Sequence, residues 1–131
     1  MDATALEGAI DAVARQVESP QARCVIVDEG FPDESTLMGT RDGYLNLALA
    51  MLRFVADADA GRCEVAEGGF PWDDRIKAAL YQLPTRSAWL VGAYLFADHG
   101  EYMRELSRSV DPQLGHPLLD DPSFAEPGGP A

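Results

Sequence analysis

Carboxylates are the most abundant reactive groups in this chain, and three pairs of them are adjacent: Asp28-Glu29, Asp33-Glu34 and Asp73-Asp74. Paired carboxylates do general acid–base chemistry when one member is buried, because burial raises its pKa and keeps a proton available. Neighbouring acids on a surface loop are ordinarily both solvated and ionised. The first two pairs flank Gly30-Phe31-Pro32, a turn sequence, and no reaction-specific motif surrounds any of the three. His99 lies in Asp98-His99-Gly100-Glu101, and His116 lies between Gly115 and Pro117. Acids one residue before and two after a histidine do not face it on a helix, so His99 reads as a helix N-terminal residue and not as a metal ligand. The two cysteines, Cys24 and Cys63, form no CxxC and have no nearby histidine. They read as reduced thiols buried in strands. These residues assign no catalytic group, metal or cofactor.

Two further segments have chemical content. Gly39-Thr40-Arg41-Asp42-Gly43 enters a helix N-terminus, which favours anions, but it is neither GxGxxG nor GxxxxGK[ST]. It reads as a strand-to-helix turn capped by Thr40 or Asp42. Gly68-Gly69-Phe70-Pro71-Trp72 places two aromatic anchors in a loop. Phe70 and Trp72, with Asp73 and Asp74 beside them and Asp28, Glu29, Asp33 and Glu34 on the other acidic loop, are the candidate binding residues.

The elements that must position these groups follow from periodicity. Thr4 and Glu7 have capping-box spacing, and Leu6, Ile10, Val13 and Val17 form a helical stripe that Pro20 stops. Cys24-Val25-Ile26-Val27 is apolar on both alternating faces and reads as a strand inside a sheet. Ser35 to Met38 fits a short return strand. From Tyr44 to Ala56 only Asn46 and Arg53 are polar, and they share a face. So narrow a polar stripe means a helix buried on most sides, or one that uses part of its surface for a partner. Gly61 suits its C-terminal cap, whereas Asp57 and Asp59 oppose the helix dipole there. Residues 62–67 alternate as a half-exposed strand. Ile76, Ala79, Leu80 and Leu83 favour a short helix from Asp73 to Leu83. Trp89 to Phe96 is a second strong strand. Asp98 and Glu101 open a last helix that Pro112 closes.

Residues 111–131 hold five prolines, four acids and neither Lys nor Arg, a charge of −4. They read as an extended or disordered acidic tail, which Leu118, Leu119 and Phe124 are able to tack onto the body. The organisation is therefore one domain over 1–110 and a Pro-rich tail over 111–131. Segregated elements predict an α+β fold: a small, mainly antiparallel sheet of three to four strands packed with three to four helices. A parallel alternative exists, because a helix separates the Cys24 and Cys63 strands.

Gly39-Thr40-Arg41-Asp42-Gly43-Tyr44-Leu45-Asn46-Leu47-Ala48 resembles the Gly-Asn-x-x-Gly-Leu-x-x-Leu-Ala turn and helix of small bacterial immunity proteins of polymorphic toxin systems. The resemblance spans residues 39–56. It departs from the family pattern at Thr40 and at Tyr44, and the family's His-rich following strand is absent from Arg62-Cys63-Glu64-Val65. It implies a strand before and after the segment and a protein-inhibitor function, and it transfers no site residues.

The 131 residues carry 22 acids against 10 bases, a net charge of −12. Nucleic-acid binding needs a basic face, and a membrane anchor needs basic clusters or a long apolar span; neither is present in the sequence. The N-terminus lacks signal-peptide character, so a cytoplasmic location is expected. An acidic surface steers association with a basic protein. The favoured reading is a non-catalytic binding protein, an immunity- or antitoxin-like inhibitor of a basic partner. The alternatives are an acidic export-type chaperone that dimerises through its apolar helix, and a carboxylate enzyme acting on a small molecule.

Overall fold

In the computed structural model the chain is described over residues 2–28, 34–62, 74–82, 89–115, 117–118 and 124. Helix α1 spans Ala3–Ala14 and is capped by Asp2, whose Oδ1 accepts the Ala5 N–H at 2.7 Å. The expected Thr4–Glu7 capping box is corrected: both residues lie inside the helix and face solvent. Strand β1 (Cys24–Asp28) pairs antiparallel with β2 (Glu34–Thr40), setting Val25 opposite Met38 and Ile26 opposite Leu37. β2 runs straight into α2 (Arg41–Asp59). Helix α3 (Asp74–Ala79) leads directly into β3 (Leu80–Gln82). The predicted helix to Leu83 is therefore corrected. Leu80 leaves the helix because its backbone pairs with Cys24 of β1. Strand β4 (Trp89–Phe96) precedes α4 (His99–Ser109) and the short α5 (Asp111–Leu114).

The α+β arrangement is as expected, but the sheet is mixed, not mainly antiparallel. Its order is β3-β1-β2-β4, with β3 parallel to β1 and β4 parallel to β2. The antiparallel pair is the central hairpin. The parallel pairings follow from α2 and α3, which return the chain across one face before β3 forms. Residues 63–73, which include the predicted Cys63 strand and the Phe70–Trp72 loop, lie outside the described residues.

Successive residues of a strand point to opposite faces, and each face here has its own core. Cys24 packs with Leu47 and Ala50 of α2 and with Ala79 and Leu80, and Ile26 and Leu37 join them. On the other face Val25, Val27 and Met38 pack with Tyr102, Leu106 and Val110. β1 is thus buried on both sides, as its unbroken apolar run required. Leu118 and Phe124 complete the second core and are among the most buried side chains of the described residues. The tail expected to be extended or disordered from 111 thus opens with α5 and sends two apolar residues inward. Asp111 Oδ1 accepts the Leu118 N–H at 2.8 Å, holding the turn that brings Leu118 back. Pro112 sits in the first turn of α5, a position that needs no N–H partner, so it starts an element as well as ending one.

At the end of α2, Gly61 adopts φ +73°. Its N–H reaches Ala58 O at 3.1 Å and that of Arg62 reaches Asp57 O at 2.8 Å, a Schellman closure. Arg62 Nε also lies 3.1 Å from Asp57 Oδ1, and this ion pair offsets the acid's unfavourable place at a helix C-terminus. No described helix is long and apolar enough to cross a membrane.

Candidate functional site

Of the predicted binding residues, Glu29, Asp33, Phe70, Trp72 and Asp73 lie outside the described residues. Asp28 ends β1 with its backbone opposite Ser35, Glu34 opens β2 opposite Trp89, and Asp74 opens α3. Backbone register therefore brings Asp28 and Glu34 to one end of the hairpin.

The Gly39–Asn46 segment is a junction on which four elements meet. A Cβ on Gly39 would stand 2.7 Å from Cys24 Sγ, and one on Gly43 would stand 3.0 Å from Arg23 O. The two glycines thus let β2 and α2 close against β1. Thr40 occupies the N-cap position of α2 but makes no side-chain capping bond. Asp42 does not cap either. Its buried carboxylate turns back, and Oδ2 accepts the Ser19 N–H at 2.8 Å. Arg41 donates from Nη1 to Gln16 O at 2.9 Å and from Nη2 to Gln16 Oε1 at 3.2 Å. Asn46 Nδ2 donates to Ser19 O at 3.0 Å and to Ala22 O at 2.9 Å. The Tyr44 hydroxyl donates to Tyr94 O at 2.8 Å, tying α2 to β4. Burial pushes that hydroxyl's pKa up to about 12. Every polar residue from Arg41 to Asn46 is therefore engaged in joining α1, β1 and β4 to α2.

Beside this junction, at the carboxyl ends of the parallel pair β2 and β4, lies an open cleft of about 880 Å³. Arg15 and Glu18 flank it from the end of α1, Arg41 and Asp42 from the junction, and Leu95 and His99 from the β4–α4 turn. Its charges are mixed, and Asp42 and Arg41 already have partners. Cys24, a free thiol, does not line it; burial raises its pKa to about 12, which suppresses the nucleophilic thiolate at neutral pH. Among the described residues, no group of three His, Cys, Asp or Glu side chains is placed to hold a metal.

The more distinctive surface is apolar. Tyr94 is 55% exposed and Leu95 65%, on β4 at the edge of the sheet; Met51 (45%) and Val55 (47%) are exposed on α2. In parallel register Leu95 shares a face with Gly39, and Tyr94 shares the opposite face with Met38. Tyr44, Ala48, Met51 and Val55 fall on one stripe of α2, and Tyr44 turns that stripe towards β4. Sequence reasoning did not single out Met51, Val55, Tyr94 or Leu95. The signals were the uncharged run Ser87–Ala97 and a helix too apolar to be covered on every side. Compared with protein-family models, curated proteins and solved structures, the chain shows no significant match to any.

Proposed function

We propose that the chain is a non-catalytic binding domain that holds a basic protein partner, acting in the cytoplasm as an immunity- or antitoxin-type inhibitor. One observation carries the reading: four large apolar side chains stand exposed on a domain of net charge −12. Scattered apolar residues need no explanation, but Tyr94 and Leu95 stand on the two faces of one edge strand, and exposed apolar residues at a sheet edge suit a protein contact. The negative field supplies long-range attraction and the apolar group supplies short-range burial. The alternative, a carboxylate enzyme, draws on the 28–34 and 68–74 loops, most of which lie outside the described residues; the buried acid of the described cleft, Asp42, is already held by Ser19 and Arg41.

The test is affinity capture from the source lysate at low and high salt, with the native chain and with Leu95→Lys as baits. The expected result is a stoichiometric basic protein, held at low salt, released at high salt and lost with Leu95→Lys. Absence of a stoichiometric partner at either salt overturns the reading.

A further inference from the structure

We propose that the partner docks by strand addition: an extended, lysine- or arginine-bearing segment pairs with the outer edge of β4 over Gly92–Phe96. This rests on the reading of the chain as a binder of basic proteins, and specifies how it binds.

Among the described strands, the two edges of the sheet are unequal. β3 has three residues, too few to template another strand; β4 has eight. Long edges are normally blunted by charge, proline or a bulge, because unpaired backbone groups recruit other strands. Trp89–Phe96 contains neither a charged residue nor a proline. It does carry an irregularity: Ser35 pairs with Leu90 but Thr36 with Gly92, so Val91 is the extra residue. That bulge blunts only the Trp89 end. From Gly92 to Phe96 the strand pairs residue for residue with Thr36 to Thr40, and Tyr44 fastens its middle through Tyr94 O. The segment is paired with β2 on its inner side, and among the described residues no strand pairs with its outer side.

The surroundings suit an added strand. Ala93, Tyr94 and Leu95 are all exposed, and a Cβ on Gly92 would meet nothing within 4 Å. A fifth strand would place alternate side chains beside Leu95, on the side of Met51 and Val55, and the others beside Tyr94. This is β-augmentation, in which main-chain bonds give affinity and alternate side chains give selectivity.

Charge decides the occupant. A second copy would bring another −12 and be repelled, whereas a basic segment is attracted. The first acids after the strand, Asp98 and Glu101, are exposed; Asp98 also caps α4 and has Arg104 near it, so the attraction rests on the overall charge of −12. Of the arginines of the neighbouring cleft, Arg41 is held by Gln16 and Asp42, and Arg15 shares the cleft with Glu18.

The probe is a short synthetic peptide of alternating Val and Thr flanked by lysines. It is compared with the same peptide N-methylated at alternate residues and with a glutamate-flanked version. Calorimetry gives affinity, and amide exchange by NMR locates the contact on the full chain. The expected result is binding of the lysine peptide with slowed exchange within 92–96. N-methylation should weaken it at least about tenfold, through lost backbone bonds, and the glutamate peptide should not bind. Equal affinity of the methylated peptide overturns strand addition while leaving a basic-protein binder intact. Failure of the lysine peptide to bind also overturns strand addition; the capture experiment then decides the wider reading separately. A salt-independent dimer of the chain alone, with 92–96 protected, overturns the choice of occupant.

Discussion

The carboxylate of Asp42, in the first turn of α2, holds the backbone N–H of Ser19 at 2.8 Å across 23 positions of sequence, with both residues buried. A helix-capping residue type is thus used to cap something else: the connector between α1 and β1. With Asn46 on the carbonyls of Ser19 and Ala22, it fixes both backbone polarities of that connector.

Asp42→Ala leaves the Ser19 N–H buried without its acceptor. The expected cost is about 1–3 kcal/mol, while Asp42→Asn, which keeps an oxygen at the same place, costs less. Urea unfolding of the two variants separates them; equal stability of Asp42→Ala and the native chain would show that water replaces the carboxylate.

Gly39→Ala puts a methyl 2.7 Å from Cys24 Sγ and should destabilise by about 1–3 kcal/mol. Cys24→Ala removes the obstructing sulfur. In a double-mutant cycle the pair should therefore be more stable than the sum of the single losses. Additive losses would place the strain elsewhere, the nearest alternative being the Tyr44 ring at 3.3 Å.

The Cys24 thiol, whose ordinary pKa is 9.0, is pushed by burial up to about 12. Below the ordinary value both folded and unfolded chains keep the proton. Above it the unfolded chain releases the proton while the folded chain does not, so stability falls as pH rises towards 12. Burial of the Tyr102 hydroxyl acts in the same direction at higher pH. In a Cys63→Ser background, the urea midpoint should drop through this alkaline window, and Cys24→Ala should shallow the drop. A thiol reagent at neutral pH should label Cys24 only on unfolding.

Phe124 and Leu118 are each 1% exposed, and Arg23 lies over the Phe124 ring at 5.7 Å. Phe124→Ala should cost about 3–5 kcal/mol, and removing residues 111–131 should cost more. Thermal unfolding of the two variants measures this. A truncated chain as stable as the native one would mean that the tail does not close the second core.

Much of the frame was legible in local pattern. Cys24 and Ile26 on one face and Val25 and Val27 on the other announced a strand with two buried faces, and the apolar run from Tyr44 announced α2. Asp98 was legible as a cap, and its Oδ2 accepts the Glu101 N–H at 3.1 Å. What was not legible depended on distant partners. Ile76, Ala79 and Leu80 satisfy helical spacing, but only the presence of β1 beside Leu80 makes it a strand. Phe124 stands in a proline-rich stretch that has no core of its own; its groove is built by β1, β2 and α4. Asp42 looked like a cap because it stands in the first turn of α2; it accepts instead from Ser19, which no short-range rule connects to it. Of the proposed contact surface, the apolar strand and helix were visible, but which of their residues face outward is set by the sheet order.

That sheet order also has a consequence for synthesis. β1 and β2 can pair as soon as both have left the ribosome, and α2 soon covers one side of them. The other side, bearing Val25, Val27 and Met38, has to wait for Tyr102, Leu106, Leu118 and Phe124. A nascent chain therefore carries an open greasy face through most of its translation. Stalling or truncation before α4 should send it to holdases or proteases, well before any defect in partner binding could be felt.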